Sequence, residues 1–203
     1  MTPAFAKATA GKPAVLMVHG RNAGPDNILD LVPRLARPQF DYVAPAAPNR
    51  TWYPYSFLAP IEQNEPFLSN ALAQLRAAVE EVEATGVARR HIVLLGFSQG
   101  ACLATEFMIR NASRFGGLIA FSGGAIGPPG TEWNRPGNFD RTPMFFGCSD
   151  VDAHVPAERV RESTAVCERM GASVTTKIYP GMGHLVSDDE IVRAQQILDS
   201  VIS

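Results

Sequence analysis

Cysteine is scarce in this chain. Its three copies in 203 residues, Cys102, Cys148 and Cys167, are odd in number, far apart and without a C-x-x-C pair. That argues against a disulfide framework and offers no zinc site, so they read as buried free thiols and no metal or other cofactor is expected. An excess of positive charge is lacking too. Eighteen Lys and Arg against 20 Asp and Glu leave a formal net charge of -2, which gives no basic footprint for nucleic acid or an anionic membrane surface. Partners should be small and weakly charged. No uncharged run is long enough, and free enough of Gly and Pro, to span a bilayer. The start, MTPAFAKATAGKP, lacks the long apolar core of a signal peptide. The default compartment is therefore the cytoplasm, with no stable membrane anchoring. Histidine is sparse as well, with four in all.

What is present, 46% hydrophobic and 19% charged residues, suits one soluble globular domain over residues 1–203 with a substantial core. The pattern centres on HIVLLGFSQGACLATEFMI, from His91 to Ile109. Ile92 to Leu95 is a continuous apolar run, as in a strand buried on both faces. From Gln99 onward the apolar residues Leu103, Phe107 and Met108, with Ala101 and Ala104, recur at helical spacing. Between them lies Gly96-Phe97-Ser98-Gln99-Gly100, a match to G-x-S-x-G, the turn that carries a nucleophilic serine at the top of an α/β-hydrolase sheet. Glycine is needed on both sides because so sharp a turn leaves no room for a Cβ. Ser98 would stand at a helix N-terminus, where free N–H groups and the dipole favour developing negative charge.

The rest of the chain alternates strand and helix. Residues 1–12 read as a poorly structured lead-in. Ala14–Val18 is a strand ending in His19 to Gly24, and Pro25 to Ala36 reads as one helix with Ile28, Leu31, Val32 and Leu35 on a common face. Tyr42–Ala44 is a short strand. Pro45 to Pro66 is a long irregular segment rich in Pro, with Trp52, Tyr53, Tyr55 and Phe57, and its aromatics argue for function rather than disorder. Phe67–Ala84 is a helix stopped by Gly86. Beyond the central stretch come strands at Gly117–Phe121, Pro143–Gly147 and Ser173–Tyr179, an irregular stretch from Ser122 to Arg141, and helices from about Pro156 to Met170 and from Asp188 to Ile202. Such alternation implies about six mostly parallel strands with helices on both faces and no large cap domain. Every loop of interest then lies at the carboxyl ends of the strands, where such sheets bind ligands.

A serine hydroxyl needs a base, and the base needs an anion to hold its tautomer. The chain order of this fold is Ser, then Asp or Glu, then His. His19 and His91 precede Ser98, and His154 is too close to the acid loop to lie across from it. His184 stands alone in a Gly-flanked loop after the last strand, so it is the candidate base. The acid must come from the loop after Gly147, which offers Asp150 and Asp152. A metal reading of Asp150, Asp152, His154 and His184 fails the calcium-loop template, lacking its glycine and its closing glutamate. The oxyanion would be held by the main-chain N–H of Gln99 and one from the first strand-to-helix loop, Arg21. Trp52 and Tyr53, on a strand-end loop, are candidates for lining an apolar substrate pocket.

HGRN, GFSQG, SDVDAHVP and PGMGH, in this order and spacing, resemble the phospholipase/carboxylesterase family, which includes the acyl-protein thioesterases. The resemblance runs from Ala14 to the final helix. It implies a compact α/β-hydrolase that cleaves a small-molecule carboxylic ester through an acyl-enzyme, with thioesterase or lysophospholipase activity as the alternative. From another class, a catalytically silent binding protein on the same fold is the rival, against which the retained Ser, Asp and His speak. Two departures stand out: Asn22 replaces the last glycine of the family's HG-x-G loop, and the acid loop is about two residues longer than in the thioesterases. Counting from Gly147 in the family pattern selects Asp150 as the acid, and counting back from Val155-Pro156 in D-x-x-V-P selects Asp152. Pro156 fixes the start of the next helix while extra residues near Gly147 can bulge outward, so Asp152 is taken.

Overall fold

A computed structural model describes residues 9–202. Most of the expected lead-in, residues 1–8, lies outside them; Thr9 to Lys12 holds neither helix nor strand, and Lys12 pairs with Asp41 at 2.7 Å. Six strands, β1 (Ala14–Val18), β2 (Asp41–Val43), β3 (Ile92–Phe97), β4 (Gly117–Phe121), β5 (Pro143–Ser149) and β6 (Ser173–Tyr179), form one sheet in the order β2-β1-β3-β4-β5-β6. Every pairing is parallel. The central strands are apolar without alternation because both faces are covered. Ala14, Leu16 and Val18 point into one core with Leu94, Ala120 and Phe146, while Val15 and Met17 point into a second with Val93, Ile119 and Phe145.

The first core is closed by α4 (Phe67–Ala84), α5 (Gln99–Arg110) and α6 (Ala157–Arg169), and the second by α1 (Pro25–Leu29), α2 (Val32–Leu35) and α7 (Asp188–Ile202). In α4, Leu68, Leu72, Leu75, Val79 and Val82 make the buried stripe that their spacing requires. The expected single helix from Pro25 to Ala36 is instead the pair α1 and α2. Pro33 is the cause: it has no N–H to donate to Leu29, and its ring would meet that carbonyl. Ala36 ends α2 at φ 50°, a left-handed stop. The strands β3 and β5 each run two residues beyond their expected apolar ends, to Phe97 and Ser149. Between β2 and α4 the aromatic segment contains a 3₁₀ turn at Pro48–Arg50 and the short α3 (Ile61–Asn64).

Chain order and sheet order part company between β1 and β3: β2 lies on one side of β1, and the chain then crosses to build β3 to β6 on the other. Loops leaving β1 and β3 therefore diverge, and a crevice opens at their carboxyl ends. None of the described helices is long and apolar enough to cross a membrane.

Candidate active site

Ser98 occupies that crevice, on the tight turn between β3 and α5. Its backbone sits at φ 56°, ψ -123°, a conformation that costs a non-glycine residue of order 1–3 kcal/mol and that the surroundings must impose. They do so by close packing. A Cβ on Gly96 would lie 2.5 Å from the Gly100 carbonyl, and one on Gly100 would strike the Val18 carbonyl of β1. Main-chain bonds fix the turn on both sides, from Ser98 N–H to the Phe121 carbonyl at 2.9 Å and from Cys102 N–H to the Ser98 carbonyl at 3.0 Å.

His184 Nε2 lies 2.9 Å from Ser98 Oγ, and its Nδ1 lies 2.7 Å from Asp152 Oδ2. The Asp152 side chain has no exposed surface. Burial alone would raise its pKa, but the bond to His184 and the N–H groups of His154 and Val155, at 2.8 and 3.0 Å from Oδ1, hold it below its ordinary value. An ionised carboxylate so placed accepts from Nδ1–H, which leaves Nε2 as an acceptor toward the serine. Asp150 instead serves as a tie between loops. Its Oδ1 accepts the Gly181 N–H at 2.8 Å, and Ser149 Oγ accepts the Gly183 N–H at 3.0 Å. Together they bind the loop carrying His184 to the loop carrying Asp152. After His184 the chain is anchored by a capping box, in which Glu190 Oε2 accepts the Ser187 N–H at 2.7 Å and Ser187 Oγ accepts the Glu190 N–H at 3.3 Å.

The N–H groups of Arg21 and Gln99 donate to nothing among the described residues and flank Ser98 in a cavity of about 500 Å³. Asn22 takes the left-handed conformation, φ 59°, that the family's glycine would supply, and its N–H is held by the Arg50 carbonyl at 2.8 Å. Sequence reasoning did not reveal what the side chains of Arg21 and Gln99 do. Gln99 Oε1 accepts the Trp52 N–H at 3.0 Å and its Nε2 donates to the Tyr53 carbonyl at 2.8 Å. The Arg21 guanidinium donates to the Pro54 and Tyr55 carbonyls, both at 2.7 Å. The backbone from Trp52 to Tyr55 is thus clamped by the side chains of Arg21 and Gln99, which line the same cavity as Ser98.

Of the two aromatic candidates, only Tyr53 lines the cavity. Its phenol faces the Cys102 sulfur, and burial drives both groups up, the thiol to about 12. Trp52 does not line it. Its side chain turns into the core at 2% exposure, packs 4.9 Å from the His19 ring and donates its indole N–H to the His19 carbonyl at 2.8 Å. An indole so placed satisfies its one donor while burying its whole body, which makes it a support beneath the His19 to Gly24 loop rather than part of the cavity wall. His19 is itself neutral and structural: burial lowers its pKa, Nδ1 donates to the Gly20 carbonyl and Nε2 accepts the Ala47 N–H. His154, set aside in the sequence as a candidate base because it lies so close to the acid loop, nevertheless reaches the site. Its ring lies 4.8 Å from the His184 ring, edge to face, and lines the cavity.

The phospholipase/carboxylesterase family model matches residues 5–202. A solved phospholipase/carboxylesterase from Dyadobacter fermentans is 43% identical, with a TM-score of 0.88, over 95% of this chain and 91% of that one. Acyl-protein thioesterase 1 of Gibberella zeae is 29% identical over 116 residues, 56% of this chain and 49% of the relative, so the match spans about half of that protein's length. A probable carboxylesterase of rice is 27% identical over 210 residues, 93% of this chain and 77% of the relative.

Proposed function

The chain belongs to the phospholipase/carboxylesterase family, and from that premise we propose that it is a serine esterase that cleaves small carboxylic esters through an acyl-enzyme, acting as one catalytic domain in the cytoplasm. The hydrogen-bonded run from Ser98 Oγ through His184 to Asp152, with Ser98 and His184 lining the cavity, carries this reading. His184 Nε2 takes the hydroxyl proton as Ser98 Oγ attacks the ester carbonyl. Asp152 stabilises the imidazolium, and the carbonyl oxygen collects negative charge between the Arg21 and Gln99 N–H groups and the α5 N-terminus. Collapse breaks the ester C–O bond, with His184 returning its proton to the departing oxygen and the acyl group left on Ser98. Water then enters by the same route in reverse.

Two features support the compartment and partners in this reading: all three thiols are buried and unpaired, and the cavity wall is built from Tyr53, Phe57 and Val155 with few charges. The test is hydrolysis of p-nitrophenyl esters from acetate to palmitate, with an acyl thioester beside them, by the wild type and Ser98→Ala. Ser98→Ala should lose hydrolysis and organophosphonate labelling while staying folded. A variant that is still labelled would put the nucleophile elsewhere. Faster turnover of the thioester than of its matched oxygen ester would favour the thioesterase reading that the Gibberella relative suggests.

A further inference from the structure

Most polar side chains in the cavity are already committed to the protein. The Arg21 guanidinium is taken up by two carbonyls, the Gln99 amide by the Trp52 and Tyr53 backbone, and the Tyr53 phenol faces Cys102. His154 is different. Its main-chain N–H holds Asp152, but neither ring nitrogen has a hydrogen-bond partner among the described residues, and the exposed ring lines the cavity. The Asn22 side chain and the Tyr55 hydroxyl also have no hydrogen-bond partner among the described residues, but they belong to the loop after β1 and to the clamped wall. His154 alone of these packs on His184, at 4.8 Å between ring centres.

We propose that His154 is a specificity-determining residue that hydrogen-bonds the leaving group, so that the enzyme favours esters whose alcohol carries a second polar group close to the ester oxygen. This rests on the esterase reading above. His184 hands its proton to the departing oxygen, so the half of the substrate beside His184 is the alcohol, and a group packed on His184 and open to the cavity faces that half. An imidazole with both nitrogens free can accept from a hydroxyl and donate to one. With ring centres 4.8 Å apart, His154 stands within a short substituent's reach of the oxygen that His184 protonates, the position of a neighbouring hydroxyl in a polyol ester.

The experiment compares glycerol 1-monobutyrate with propyl butyrate, which share the acyl group and the three-carbon alcohol skeleton and differ by two hydroxyls. The wild type should show a kcat/KM ratio at least about threefold in favour of the glycerol ester, within the roughly three- to tenfold worth of one neutral hydrogen bond. His154→Phe keeps an aromatic edge against His184 but has no nitrogen, and it should bring the ratio to about one. His154→Gln, which restores a donor and an acceptor, should recover part of it. A wild type without the preference, an unchanged ratio in His154→Phe, or an equal fall on both esters would overturn the assignment while leaving the esterase reading intact. Failure of the wild type to hydrolyse either ester, with no organophosphonate labelling of Ser98, would overturn the esterase reading and this one with it.

Discussion

Replacing Asp152 by Asn keeps the shape of the acid and removes its charge, and the geometry decides how the amide settles. Two orientations are open to it. In one, its oxygen takes over the N–H groups of His154 and Val155, at 2.8 and 3.0 Å, and its NH₂ faces His184 Nδ1. In the other, the NH₂ confronts those two N–H groups in a site with no exposed side-chain surface, leaving two buried donors unsatisfied at roughly 1–3 kcal/mol each. The first orientation wins. His184 Nδ1 must then accept a hydrogen bond, its proton moves to Nε2, and Nε2–H points at Ser98 Oγ, 2.9 Å away, as a donor instead of a base. Loss of about 10⁴ in kcat is expected, close to 5.5 kcal/mol on the barrier. Asp150→Asn is the control: its oxygen need only accept the Gly181 N–H at 2.8 Å, which an amide oxygen does as well, so kcat should stay within about threefold. Steady-state turnover of p-nitrophenyl butyrate, with circular dichroism to establish folding, gives both numbers. Retention of more than about a tenth of kcat by Asp152→Asn, or a larger loss in Asp150→Asn, would refute the reasoning and move the acid.

Trp52→Ala should destabilise the fold by about 3–5 kcal/mol, because it empties a fully buried site and orphans the His19 carbonyl; chemical denaturation measures it, and a near-normal midpoint with altered substrate preference would return Trp52 to the pocket. Glu190 is fully buried, with Oε1 lacking a hydrogen-bond partner among the described residues, and burial raises its pKa above the ordinary 4.5. A raised carboxyl favours the fold below its unfolded pKa and loses that contribution as pH climbs through the folded value. Glu190→Gln keeps the capping acceptor without the charge, so its melting temperature relative to wild type should rise from about pH 4 to about pH 8, and a fall over that window would count against a buried, reluctantly ionised Glu190.

Much of this was legible in sequence because it is local. Strand runs at Ala14–Val18, Gly117–Phe121 and Ser173–Tyr179 and the helices at Phe67–Ala84 and Asp188–Ile202 carry their periodicity in consecutive residues, and their bounds match. The G-x-S-x-G turn is equally local, since the two glycines it needs sit beside the serine. The break in the first helix could have been read from Pro33, but the apolar face spanning Ile28 to Leu35 concealed it. What could not be read is contact between distant segments. Nothing near Trp52 distinguishes an indole bonded to a carbonyl 33 residues earlier from one facing a substrate. The choice of Asp152 over Asp150 rested on the register of Val155-Pro156 alone, since neither carboxylate carries a local sign that it turns to a histidine 32 residues on.

The clamp on residues 52–55 ties the Ser98 turn to the cavity wall, so that a change in one is expected to reach the other. Gln99 joins them through both ends of one amide, and Arg21 through both Nη atoms of one guanidinium. Each contact is to a main-chain group, so the side chains of Tyr53 and Tyr55 can change without loosening it, whereas any change at Arg21 or Gln99 releases carbonyls or an N–H of the wall. The amides that would meet the oxyanion belong to those same two residues. Displacement of the wall therefore reaches the donors directly, through one side chain and one Cα, where errors of about 1 Å already cost of order 10²-fold in rate. A loss of turnover on altering the Arg21 side chain accordingly follows from position alone and requires no contact between the guanidinium and the reacting carbonyl.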